Sequence, residues 1–163
     1  MKLKSKLYKK RRRQHKTDYH RRLILLKGNF PRLVIRKTNK YLILQIVESK
    51  NAQDKICFSA NTKELLKKGW PEENKGSLKS VTAAYLTGFL LGKKANLNKK
   101  IILDSGLIPS TAGSKIYAAV KGLVDSGIEI SYNEKMFPSQ ERLEGKDTKI
   151  SLELFKKIKE GIN

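Results

Sequence analysis

Five consecutive cations, Lys9, Lys10, Arg11, Arg12 and Arg13, with Lys16, Arg21 and Arg22 close behind, are the densest concentration of chemistry in the chain. Lysine and arginine bind phosphate backbones by displacing condensed counterions, and the guanidinium adds a planar fork that matches phosphate oxygens. A solvated tail or a localisation signal would carry a similar run. Further cations at Arg32, Arg36, Lys37 and Lys40, on the segment that follows, favour a polyanionic ligand, with nucleic acid the first candidate. Between the last of these stand Thr38 and Asn39. Base edges and 2′-hydroxyls are read by amides and hydroxyls, while charges only position a strand, so Asn39 is a candidate for reading RNA. Asn is equally ordinary turn chemistry.

A second candidate lies at residues 106–115, GLIPSTAGSK. A nucleotide-hydrolysing phosphate loop needs four residues between its glycines and lysine directly after the second. Here six residues separate Gly106 from Gly113, and Ser114 intervenes before Lys115, which excludes that chemistry. Two readings stay open: a plain capped loop, or a phosphate seat in which Thr111, Gly113 and Ser114 lie at a helix N-terminus with its free N–H groups. His15 and His20 lie in or beside the basic segment without carboxylate or metal-ligand partners at sensible spacing, so neither a catalytic nor a metal site is expected, and no cofactor. Cys57, the one cysteine, excludes an internal disulfide; within Ile56-Cys57-Phe58 it is expected as a buried reduced thiol.

The elements that must hold these residues follow from periodicity. Residues 1–16 have almost no apolar content beyond Leu3, Leu7 and Tyr8, so a basic arm, flexible until bound, is expected. Thr17-Asp18 offers a helix N-cap, with Leu23 and Leu26 directed at a core and Gly28 closing the helix. Residues 32–37 and 41–48 read as strands joined by the Thr38-Asn39-Lys40 turn, and residues 55–59 as a third, giving an antiparallel three-strand meander. Ser77 is expected to cap a helix running to about Lys94, in which Ala84, Gly88 and Gly92 recur at every fourth residue and let the helix press against a sheet. Residues 100–104 read as a buried parallel strand, residues 115–126 as an amphipathic helix and residues 128–130 as a last strand. The whole is an α/β fold with a mixed five-stranded sheet, a meander followed by βαβ crossovers, and a terminal helix at 151–162 with Leu154, Ile158 and Ile162 on one stripe. Three regions are expected: a basic arm with a short helix (1–29), an α/β core (30–130) and a C-terminal extension (131–163).

Charge points to the same end of the chain. Of 163 residues, 36 are Lys or Arg and 15 Asp or Glu, for a net charge of +21. Residues 1–40 hold 16 of the cations against Asp18 alone, so the excess is concentrated at one end rather than spread as a solubility device. The most apolar stretch, residues 81–91, is too short to span a bilayer, and no leader with an apolar core follows the charged start. An intracellular protein with no membrane partner is expected. The same sheet order serves ribonuclease H-like nucleases, which hold metal ions with paired carboxylates. Residues 32–37 contain no acid and Asp104 alone cannot hold a metal pair, so an RNA-processing enzyme is the alternative and not the expectation.

The stretch YKKRRRQHKTDYHRRLILLKGNFPRLVIRKTNKYLILQIV, followed by AYLTGFLLG, LDSGLIPSTAGSKIYAAVKG and FPSQERLEGKD, resembles the family of large-subunit ribosomal protein eighteen in its archaeal form, kin to eukaryotic large-subunit protein five. The resemblance spans nearly the whole chain in order. It implies a three-layer ribonuclease H-like core without catalytic residues, and a cytoplasmic structural constituent of the large ribosomal subunit that binds 5S rRNA and helps attach it to 23S rRNA in the central protuberance. Neighbouring ribosomal proteins of the protuberance are the implied protein partners, and no homo-oligomer is implied. The positions matching the family's RNA-contacting arm and hairpin are Lys9, Lys10, Arg11, Arg12, Arg13, Lys16, Arg21, Arg22, Arg32, Arg36, Lys37, Asn39 and Lys40; those of the loop are Thr111, Ser114 and Lys115.

Overall fold

The computed structural model describes residues 8–51, 53–97, 99–145 and 150–162. Residues 1–7 of the expected flexible arm, and Lys146 and Asp147 of the last resemblance motif, lie outside them. Strands β1 (Arg32–Lys37), β2 (Leu42–Lys50) and β3 (Gln53–Asn61) form the expected antiparallel meander. Its first turn is closed by Thr38, whose hydroxyl accepts from Tyr41 N at 2.8 Å and donates to Tyr41 O at 2.8 Å. Strand β4 (Ile102–Asp104) joins parallel to β1, giving the order β3-β2-β1-β4.

This mixed sheet has four strands rather than the five expected. Residues 128–130 contribute one parallel bridge, Ile101 to Ile130, held by Ile101 N donating to Glu129 O at 2.9 Å. Beyond Ile130 the chain turns into the short 3-10 segment Glu134–Met136, so no second rung forms.

Helices α1 (Lys10–Arg13) and α2 (Tyr19–Lys27) precede the sheet; α3 (Val81–Ala95) and α4 (Lys115–Asp125) flank β4 in sequence; α5 (Gln140–Glu144) and α6 (Leu152–Glu160) follow. The N-cap of α3 is Ser80, whose hydroxyl accepts from Ala83 N at 3.2 Å, not Ser77, which closes the 3-10 segment Glu72–Ser77 by donating to Asn74 O at 2.7 Å. Alternation sends Leu33 and Ile35 of β1, and Leu42, Leu44 and Ile46 of β2, to one face, where all are buried beneath α3.

The small residues of α3 serve a different contact from the one expected. A methyl group at Gly88 would lie 2.1 Å from Ala119 O, and one at Gly122 of α4 would lie 2.1 Å from Tyr85 O. At the helix end a methyl at Gly92 would strike Ser126 Oγ. The glycine stripe therefore brings helix to helix, not helix to sheet. Helix α3 leads into Ile101 and α4 into Ile130, the two partners of the parallel bridge, so the two helices run parallel. Helix α6, capped by Ser151, buries Phe155 and Ile158 with Ile162 just beyond, while Leu154 is only partly covered. Phe155 stacks at 5.7 Å on Tyr85, whose hydroxyl donates to Asp125 at 2.8 Å. Burial, then that hydrogen bond, pushes the Tyr85 hydroxyl well above its ordinary pKa.

Two further expectations fail on the opposite side. Leu23 is 52% exposed and no residue of α2 is buried, because α2 is attached through its arginines and not through an apolar stripe. Cys57 is half-buried: the register slips between Ile46–Phe58 and Val47–Ile56, leaving Cys57 as the extra residue of a β-bulge on an edge strand.

Candidate nucleic-acid interface

The arm is not wholly without structure. Residues 10–13 make one helical turn, after which His15 adopts φ 49° and the chain reverses. Arg11 Nε donates to Thr17 Oγ1 at 2.8 Å, fixing the reversal. Asp18 then caps α2, its carboxylate accepting from His20 N at 3.0 Å and Arg21 N at 3.1 Å. Lys9 lies over the Tyr19 ring at 5.0 Å and Arg12 over Tyr8 at 4.3 Å. All five residues of the run stay exposed, as does Lys16.

From α2 the cations reach into the sheet. Alternation places Arg32, Val47, Ser49, Asp54 and Asp104 on the face opposite α3, through the pairs Arg32–Val47, Ser49–Asp54 and Val34–Asp104. Arg32 is 1% exposed. Its guanidinium donates to Asp104 at 2.9 Å on one side, and to Asp54 at 2.8 Å and Ser49 Oγ at 2.9 Å on the other, so one side chain ties all four strands. Asp54 also accepts from Arg22 at 2.9 Å, which fastens α2 to the sheet. Burial alone would raise the Asp54 carboxyl; the hydrogen bonds from Ser49 and Arg22, with the charges of Arg32 and Arg22, outweigh it and hold Asp54 below the usual carboxylate range. Arg36 hydrogen-bonds Asp104 O at 3.1 Å and reaches its carboxylate at 3.4 Å. Arg21 donates to Gly106 O at 3.2 Å and Ser105 Oγ at 3.4 Å, and Gly106, at φ 61° with Arg36 against it, permits that turn.

The result is a cleft of about 710 Å³ into which Arg11, Lys16, Arg21, Arg22, Arg36 and Lys37 converge from the arm, α2 and the end of β1, with His15 also in its wall. Asn39 and Lys40 stand exposed at the hairpin tip beyond it, and His20 is exposed. Arg32 is set apart from the other predicted site residues, since its buried guanidinium is spent on two carboxylates and offers no surface. At the other candidate loop, Thr111 is exposed, Ser114 is the N-cap of α4 without a side-chain cap bond, and Lys115 is half-buried. Burial, then the charges of Lys37 and Lys79, lowers the Lys115 pKa.

Sequence reasoning missed Asp54, Ser49 and Asp104 as the groups that hold the arginines. Asp54 sits in what reads as a turn, and nothing local marks it. Among the described residues no group of three His, Cys, Asp or Glu side chains could hold a metal ion, and no helix is long and apolar enough to cross a membrane.

Residues 4–101 and 96–133 match the family of ribosomal large subunit proteins 60S L5 and 50S L18. Similar proteins include large ribosomal subunit protein uL18 of Korarchaeum cryptofilum, 45% identical over 139 residues that cover 83% of this chain and 69% of that protein. The protein of the same name from Methanococcoides burtonii is 44% identical over 138 residues, covering 83% and 78%. That from Methanoregula boonei is 43% identical over 138 residues, covering 83% and 77%.

Proposed function

This chain belongs to the family of ribosomal large subunit proteins 60S L5 and 50S L18, and from that premise we propose that it binds 5S rRNA and helps attach it to 23S rRNA in the central protuberance. It is a structural constituent of the large ribosomal subunit, of archaeal type, working in the cytoplasm with ribosomal RNA and ribosomal proteins as its neighbours.

The observation that carries the reading is the convergence of six cations from three elements on one cleft, continuous with the exposed run at residues 9–13. Such an arrangement suits a folded sugar–phosphate backbone, which presents charge in three dimensions where a flat anionic surface does not. Residues 9–13, with Lys16, Arg21, Arg22, Arg36, Lys37 and Lys40, are the phosphate contacts, Asn39 the base or 2′-hydroxyl contact, and Thr111, Ser114 and Lys115 a flanking contact. Arg32 acts beneath the surface as a brace. Residues 1–29 carry most of the binding, residues 30–130 form the ribonuclease H-like core, and residues 131–163 are a C-terminal extension with a terminal helix. No catalytic step is assigned: Asp54 and Asp104 both face the Arg32 guanidinium, which occupies the place a metal cation between them would need.

The test is competition. Labelled 5S rRNA bound to the full chain should be displaced by unlabelled 5S rRNA at far lower concentration than by tRNA or heparin. Deleting residues 1–16 should weaken binding and flatten the plot of log K against log salt by roughly 0.7–0.9 for every phosphate the shortened chain leaves unneutralised. Equal displacement by all three competitors overturns the reading, as does metal-dependent cleavage of the RNA that survives stringent purification.

A further inference from the structure

The parallel pairings of β1 with β4 and α3 with α4 bring three chain segments to one edge of the sheet. Val34 pairs with Asp104, so Lys37 lies just past the end of β4. Helix α4 starts at Lys115 on the far side of the loop that leaves β4. Helix α3 returns to the opposite end of β4 through its own C-terminus, so its N-terminus, preceded by Lys79, lies at this edge as well. Ligands of open α/β sheets settle in such a crevice, outside the carboxyl ends of parallel strands.

Lys37, Lys79 and Lys115 have no carboxylate partner among the described residues, and they lie near enough for the first two to disfavour the charge on the third. The Ser114 hydroxyl is buried there without a hydrogen-bond partner, and the first N–H groups of α4 are free of a side-chain cap. Like charges gathered without a counter-charge cost free energy in the isolated protein, which an anion would recover.

We infer that this edge is a second RNA-backbone seat, in which Lys79 joins Lys37 and Lys115 around a phosphate. The inference rests on the ribosomal reading above and extends it to a residue outside the arm, the hairpin and the loop. A polynucleotide is favoured over an acidic peptide by continuity: Lys37 borders both this edge and the arm cleft, so one backbone leaving the cleft runs directly onto the seat.

The experiment compares the full chain, Lys79→Gln, and Lys156→Gln on the exposed side of α6 as a control, each titrated with 5S rRNA over a range of salt. Lys79→Gln should lower the salt slope by roughly 0.7–0.9 and weaken binding several-fold at low salt. It should also raise the thermal midpoint of the free protein, because one repelling charge is gone. A merely structural lysine would not move these two readouts in opposite directions. If Lys79→Gln matches the control in slope while the unmodified chain still binds 5S rRNA selectively, the seat is overturned and the ribosomal reading stands. If the unmodified chain fails to prefer 5S rRNA, both fall. Polyglutamate binding that depends on Lys79, with an unchanged RNA slope, overturns the seat in favour of an acidic protein partner.

Discussion

The two faces of the one sheet are finished by opposite means. On the α3 side, apolar residues of β1 and β2 are covered by a helix pair so close that glycine is required at Gly88 and Gly122. On the α2 side a single guanidinium gathers carboxylates from the two outer strands, and large apolar side chains at Leu23, Ile24, Phe30 and Ile56 remain about half exposed. Cohesion on the first face is mainly dispersion and solvent exclusion, which carry no charge to titrate or screen. On the second it is electrostatic, and it holds cations at the surface while a buried arginine keeps them in place. A rigid face thus supplies the frame, and a charge-braced face carries the proposed ligand surface.

The sharpest way to break this contrast is Arg32→Met. Removing one partner of a buried pair leaves Asp104 without its main compensation and should cost about 3–5 kcal/mol in urea unfolding. A loss near zero would mean that Arg36 alone satisfies Asp104 and that Arg32 is no brace. Next in size is Gly122→Ala, which pushes a methyl into the backbone of α3 and should cost about 1–3 kcal/mol, with 5S rRNA affinity of the folded fraction unchanged. An RNA defect at full stability would show that the two faces are not separable.

Smaller still is the acid response of the charged face. The Asp54 carboxyl titrates below its unfolded value of 3.8. Its contribution is therefore complete above that value and lost as pH falls through the lower folded pKa. Asp54→Asn should flatten this part of the acid-unfolding curve below about pH 4, and should loosen α2, read as faster amide exchange at Leu25 and Leu26. An unchanged acid limb would remove Asp54 from the brace. Smallest is Asn39→Ala, which should reduce discrimination between 5S rRNA and tRNA by about 1 kcal/mol while leaving the salt slope alone. A changed slope with intact discrimination would reverse the division between reading and positioning.

Legibility followed the range of the interactions. The meander is local, set by Pro31, β-branched runs and the Thr38 turn, and all three strands fall close to where periodicity puts them. The fifth strand was overread because Ile128 and Ile130 alternate correctly, yet the chain turns away after a single bridge to Ile101. Spacing at Ala84, Gly88 and Gly92 announces close approach without saying to what; the partner glycine lies a whole strand and loop away. Least legible was the brace. Alternation alone puts Arg32 opposite Leu33 and so off the apolar core, but its carboxylates come from residues 22 and 72 positions distant. Five arginines that look alike in sequence therefore separate in space into one buried tie, Arg32, and four that reach the cleft, Arg11, Arg21, Arg22 and Arg36.

The most direct measurement is to purify the protein from the cells that make it, cross-link it, and sequence the RNA that remains attached. One small ribosomal RNA should dominate, with cross-links concentrated on residues 8–40. A mixture of RNAs without a dominant species, or a protein that sediments apart from large ribosomal subunits, would contradict the account.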